Sequence, residues 1–160
     1  MTRNKGMHQP LRFVWADGTN PDFVRFSADM EQYYNVLAGG AENRRSFIPH
    51  NSLADIHHVL MVYQGTVPVG CGAWKQYDQR SAEMKRIWVP EAYRGRGIAR
   101  QLIARLEENA RESGFSAIIL QTREACIAAC ALYRSLGYVQ TGNYPPYVDM
   151  PLAICFEKAL

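Results

Sequence analysis

The chain has 160 residues, 48% hydrophobic and 21% charged, with a formal charge of +3. That is the size and balance of one ordinary soluble domain with its own core. It excludes a disordered chain, and no apolar run approaches the roughly 20 residues of a membrane span. So mild a charge suits an anionic small ligand and does not point to nucleic acid.

In chain order, the first ten residues, MTRNKGMHQP, are polar and expected to be loose. No apolar segment follows their basic residues, so no signal peptide is expected and the cytoplasm is the default location. Leu11, Phe13 and Trp15 alternate with Arg12, Val14 and Ala16, which predicts a strand closed by Asp17-Gly18. Phe23, Phe26, Met30, Tyr33, Tyr34 and Leu37 recur at helical spacing until Gly39-Gly40. Residues 41–56 keep no period and predict a loop with a short helical turn near Leu53–Ile56. His58–Tyr63 and Val67–Lys75 predict two strands joined at Gln64-Gly65-Thr66. Pro68, Gly70, Cys71 and Gly72 mark the second as an edge or bulged strand.

Ala82–Val89 predicts a central strand stopped by Pro90. The next helix carries Ile98, Leu102, Ile103, Leu106 and Ala110 on one face and ends at Gly114. Ala117–Leu120 is continuously apolar, as a strand buried on both faces would be. Glu124–Leu136 predicts a helix with Ala125, Ala129, Leu132 and Leu136 inward and Gly137 as its cap. Short strands near Tyr138–Gln140 and Ala153–Glu157 close a single expected domain over residues 1–160, without repeats or linkers. The order implies an α/β domain whose central strand crosses through a helix to a parallel neighbour.

Cys71, Cys126, Cys130 and Cys155 form no CxxC pair and no zinc spacing, so free thiols are expected. His57-His58 has no second ligand cluster, and no metal site is expected.

The chemistry concentrates in Arg94-Gly95-Arg96-Gly97-Ile98-Ala99. Glycines there let a backbone come close to a ligand and adopt positive φ. The helix that begins at once aims unpaired N–H groups and its dipole at the loop. With Arg94, Arg96 and Arg100 around the same point, this predicts an anion site, most simply for phosphate. A nucleotide-hydrolysing P-loop is excluded, because no Lys-Ser/Thr pair follows the glycines.

From Gly70 to Leu160 the chain resembles the GNAT N-acetyltransferases. Their acetyl-coenzyme A signature, Arg or Gln, two residues, Gly, one residue, then Gly or Ala, stands as Arg94, Gly97 and Ala99. It follows the hydrophobic strand end Ile87-Trp88-Val89 and a proline. The second signature stands as Leu132-Tyr133-Arg134-Ser135-Leu136-Gly137-Tyr138. Glu83-Met84-Lys85-Arg86 and Cys155-Phe156-Glu157-Lys158 match small bacterial members. The first half is similar more weakly, through Phe23–Leu37 and His50–Val59.

The resemblance implies a mixed, mostly antiparallel central sheet flanked by helices, with splayed parallel strands at the cofactor site. It implies acetyl-coenzyme A as co-substrate and a small-molecule amine, amino acid or peptide terminus as acceptor. Arg94, Gly95, Arg96, Gly97, Ile98, Ala99 and Arg100 would take the pyrophosphate, and Ile87, Trp88 and Val89 the pantetheine arm. Cys126 stands where many relatives carry an asparagine or glutamine that holds that arm. Glu83 would be the general base and Tyr133, which also borders the cofactor, the acid. Tyr34, His50, Asn51, Tyr144 and Tyr147 would line the acceptor pocket. Bland alternatives exist: Glu83 as a salt-bridging strand carboxylate beside Lys85 or Arg86, Tyr133 as a core tyrosine. A non-catalytic acyl-coenzyme A sensor would need neither residue. Edge strands at the C-terminal hairpin could pair across a homodimer.

Overall fold

The alternation at Leu11–Ala16 folds as a strand, β1, in a computed structural model that describes residues 9–160. The expectation of a loose segment at 1–10 thus falls mostly outside the described residues. Helix α1, Pro21–Leu37, starts where Asn20 accepts the N–H groups of Asp22 at 3.0 Å and Phe23 at 3.1 Å, with Pro21 in the first turn. That satisfies two of the donors a helix start leaves orphaned. Strands β2 (His58–Gln64), β3 (Val67–Gln76) and β4 (Ser81–Trp88) follow, then α2 (Ile98–Glu112), β5 (Ala117–Arg123) and α3 (Ile127–Ser135). Two strands, β6 (Val139–Thr141) and β7 (Ala153–Ala159), end the chain. The sheet order is β1-β2-β3-β4-β5-β7-β6, antiparallel throughout except for the parallel β4/β5 pair.

Period-2 alternation on β2 divides the core in two. Leu60 and Val62 face the side packed by Leu102, Ile103 and Leu106 of α2, while Val59 and Met61 face Phe23 and Phe26 of α1. All these side chains are essentially dry, and each such burial stabilises the fold by about 1.5–3 kcal/mol.

Several local expectations need correction. β3 is interior, between β2 and β4, not an edge strand; the bulge is real, with register shifts at Val62/Tyr63 and Cys71/Ala73. Its glycines serve helix packing. A Cβ at Gly72 would stand 2.7 Å from a Leu106 methyl and 2.6 Å from an Ile87 methyl. Residues 41–56 carry short 3-10 turns at Ala41–Arg44 and Ile48–His50, earlier than expected, besides the turn Leu53 closes with the Ile56 N–H at 3.2 Å.

β4 ends at Trp88, and β5 runs to Arg123 because β7 continues to pair with it, Arg123 opposite Ala153. α3 accordingly starts at Ile127, not Glu124. It buries Cys130 and Tyr133, while Ala125 is exposed and Ala129, Leu132 and Leu136 are half-buried.

The parallel pair is short: Ser81–Glu83 meet Ala117–Ile119, and beyond that β4 and β5 part. Cys71 pairs with Trp88 but Ala73 with Lys85, so two residues of β4, Arg86 and Ile87, oppose Gly72 alone. Such a bulge bends the strand carrying it. Arg86 takes φ 59, a left-handed conformation costly for a side-chain-bearing residue. Its guanidinium holds it there, donating to Glu31 Oε1 at 2.8 Å and to the Asn51 carbonyl at 2.6 Å.

Candidate active site

A groove and an inner cavity open where the strands part. One end of the groove is the loop before α2. Gly95 and Gly97 lie at φ 77 and 76, and a Cβ on either would meet nothing within 4 Å. Their conformation needs glycine, and the space beside them is left open. Gly97 is the N-cap of α2 and no side chain caps that end, so the first N–H groups of the helix are free for an anion.

The three arginines do not converge as expected. Arg100 borders the groove and donates to Ser135 Oγ at 2.8 Å. Arg94 also borders it, but its Nε donates to the Val89 carbonyl at 2.8 Å and its guanidinium lies 5.0 Å from the Trp88 ring and 5.5 Å from Tyr33. Arg96 is not in the groove wall; it turns back over Tyr93, 5.4 Å away, and toward the Ala92 carbonyl. Aromatic faces near the loop draw guanidinium groups that spacing alone would aim at one point.

The groove runs along Ile87, Trp88 and Val89, past Ile98 and Ala99, to Cys126 at the start of α3. Trp88 Nε1 is buried there without a hydrogen-bond partner. Tyr34, Ile87, Cys126, Ala129 and Leu132 wall both the groove and the inner cavity, so the two adjoin.

In the cavity stands Glu83, 4% exposed. Its Oε2 accepts the Tyr144 hydroxyl at 2.7 Å, and its Oε1 lies 3.6 Å from Lys85 Nζ. Lys85 also donates to the His50 carbonyl at 2.9 Å, and burial, only partly offset by Glu83, lowers its pKa from the ordinary 10.5. The ion pair anticipated as the bland role of Glu83 is therefore present, but loose. Tyr133 reaches the cavity from α3, packed edge-on to Tyr138 at 5.6 Å. Burial raises its pKa well above the ordinary 10.0, so its hydroxyl stays protonated and can donate. Burial does the same to Tyr34, pushed up to about 12, and to Tyr144, where the Glu83 carboxylate adds to it. A buried carboxylate that can take a proton and a phenol that can give one thus share one cavity.

Of the expected acceptor residues, Tyr34, Asn51 and Tyr147 line this cavity. His50 and Tyr144 do not. His50 packs edge-on against Tyr147 at 5.7 Å, and Tyr144 stands behind Glu83. Sequence reasoning missed Glu31, Arg44, Arg86 and Arg123 in the wall. Glu31 accepts Arg44 Nη1 and Arg86 Nη1, each at 2.8 Å. Only strand β5 reaching past Leu120 would have signalled Arg123.

All four cysteines are free thiols. Among the described residues no group of three or more His, Cys, Asp or Glu is placed to hold a metal ion, and no helix is long and apolar enough to cross a membrane.

Comparison with known proteins matches residues 24–138 to the model of the acetyltransferase (GNAT) family. An IAA acetyltransferase of Azospirillum brasilense is 33% identical over 138 residues, which cover 86% of this chain and 90% of that protein. Three further curated relatives are longer, the chain spanning 38–42% of them. Among solved structures, a candidate acyl-CoA N-acyltransferase from Klebsiella pneumoniae superposes with a TM-score of 0.78 at 25% identity, over 94% of this chain and 97% of that one. A candidate streptothricin acetyltransferase from Bacillus anthracis, solved with acetyl coenzyme A, superposes at 0.57 and 25% identity, over 64% of this chain and 62% of that one.

Proposed function

The chain belongs to the acetyltransferase (GNAT) family, and from that premise we propose that it moves an acetyl group from acetyl-coenzyme A directly to a primary amine of a small molecule, an amino acid or a peptide terminus. The observation that carries this reading is that the groove at the glycine loop of Gly97 adjoins the cavity that holds the buried Glu83, the two sharing a wall.

The residues present fit the co-substrate. Open space beside Gly95 and Gly97, with the uncapped start of α2, suits a pyrophosphate. Parting of β4 from β5 frees strand N–H and C=O groups, which an amide-bearing arm can satisfy. Trp88, which lines the groove, carries a further donor in its orphaned Nε1. When bound, acetyl-coenzyme A supplies an acetyl thioester.

Everything else falls to the chain. A backbone N–H of Trp88 or Val89 would donate to the oxygen on which negative charge develops. Glu83, directly or through water, would take the proton that an ammonium must lose before its lone pair can attack. Tyr144 and Lys85 hold that carboxylate in place. Tyr133, protonated at neutral pH, would donate to the departing thiolate, whose thiol has a pKa of roughly 8.5. Tyr34, Asn51 and Tyr147 would wall the acceptor.

Calorimetric titration with acetyl-coenzyme A tests the first half. Wild type is expected to bind in the micromolar range and Gly97→Glu to show no measurable heat, since the substitution puts a carboxylate where the pyrophosphate lies. The variant's circular dichroism must match wild type for that loss to count. A well-folded wild type that binds nothing would sink the reading. Tyr133→Phe tests the acid. It is expected to lower kcat by about 100-fold, within the general-acid range, and to leave acetyl-coenzyme A affinity unchanged. An unaltered kcat would remove Tyr133 from the mechanism.

A further inference from the structure

Arg44, Lys85, Arg86 and Arg123 face the inner cavity, against the carboxylates Glu31 and Glu83. Arg44 and Arg86 share Glu31, and Lys85 is held between Glu83 and the His50 carbonyl. Arg123 differs. Its Nε and Nη1 are buried with no hydrogen-bond partner. Phe47, with its ring centre 5.6 Å from the guanidinium carbon, steadies the side chain but accepts none of its N–H bonds in the way an oxygen would.

A guanidinium cannot shed its charge, so it has no neutral form in which to tolerate this surrounding. Buried polar groups in folded proteins are ordinarily paired, and an exception calls for a missing partner. Nor is Arg123 a loose surface group. It closes the β5/β7 ladder opposite Ala153, and its carbonyl accepts the Cys126 N–H at 2.9 Å, so its backbone is fixed between the sheet and α3. Arg123 lines the cavity, so an acceptor arriving there would supply the missing partner.

We infer that the acceptor amine also carries a carboxylate, and that Arg123 receives it; this rests on the acetyl-transfer reading above. A planar carboxylate matches the guanidinium fork. One added negative charge also offsets the cation excess of the wall, which a purely cationic amine would worsen. Glu83 is level with Ile119, four residues before Arg123 on β5. The proton acceptor and the anion receptor therefore sit at different depths along the seam, and an aminocarboxylate enters in one orientation. Arg123 acts in binding and specificity and has no part in proton transfer.

The test compares free amino acids with the corresponding amino acid amides in a thiol-release assay, with rates counted per unprotonated amine. Wild type is expected to favour the acids in kcat/KM by about 10- to 100-fold, mainly through KM, the range that a charge-assisted hydrogen bond sets. Arg123→Gln is expected to erase that preference by losing rate on the acids alone, and Arg123→Lys to restore part of it. Equal rates on acids and amides in wild type, a comparison that needs no variant, overturn the inference and leave acetyl transfer standing. So does an Arg123→Gln variant that keeps the preference. Turnover of neither set by protein that binds acetyl-coenzyme A and acetylates another primary amine also overturns the inference, and leaves the amine reading beneath it standing.

Discussion

Glu83→Gln is expected to lower kcat by about 100- to 1,000-fold while acetyl-coenzyme A binds as before, since a positioned general base is worth about 10²–10⁴. Glutamine keeps the shape and can still accept the Tyr144 hydroxyl, now found 2.7 Å from the carboxylate. It loses the capacity to take a proton at neutral pH. The alternative role, a strand carboxylate that merely pairs with Lys85 at 3.6 Å, predicts another pattern. Thermal stability would then fall and kcat would hardly move. Steady-state kinetics and a melting curve on the same preparation separate the two, and a kcat within threefold of wild type would eliminate the base.

Glu31→Ala is expected to cost about 3 kcal/mol of stability, the low end of the range for breaking a buried ion pair, because Glu31 itself is partly exposed. The damage lies in what remains. Arg44 and Arg86 have side chains 5% and 7% exposed, and both depend on this carboxylate. Arg86 would also lose one of the two contacts that hold its left-handed backbone. Urea denaturation measures the loss, and a change below 1 kcal/mol would contradict the account.

An acid limb accompanies it. Burial pushes the Glu31 pKa up, but hydrogen bonds from Arg44 and Arg86 outweigh burial and leave it below the ordinary 4.5. A carboxylate depressed in the fold contributes stability fully above its unfolded pKa and loses it as pH falls through the folded one. Wild type should therefore lose stability more steeply than Glu31→Ala on acidification below about pH 4.5.

What the sequence showed clearly was local. The helix through Leu102 and Leu106 and the loop with Gly95 and Gly97 declare themselves through spacing and through residues with few conformational choices. Glu83 and Tyr133 were found because they flank those signals, and the structure brings both to one cavity. What stayed hidden depends on partners far along the chain. The extension of β5 to Arg123 is dictated by β7, thirty residues later, and the Arg86 bulge by Glu31 and Asn51. The inward face of α3 was drawn only in part: Ala129, Leu132 and Leu136 pack against the core, but the buried Cys130 and Tyr133 were left off it, because IAACALYRS offers little contrast between its faces. The arginines near Gly97 were misjudged for a different reason. Their charge was legible, but the rings of Trp88, Tyr33 and Tyr93 that divert two of them come from three separate elements.

The seam between β4 and β5 has a mechanical side. Only Ser81–Glu83 tie β4 to Ala117–Ile119 directly, so past that point the sheet behaves as two leaves joined at one end. A molecule lodged between them would supply the rungs the strands do not give each other, and so act as a third leaf. Binding and folding are then drawn from a common store of hydrogen bonds, and tightening one tightens the other. Filling that seam would therefore stiffen the sheet, and emptying it would let the two leaves slacken again.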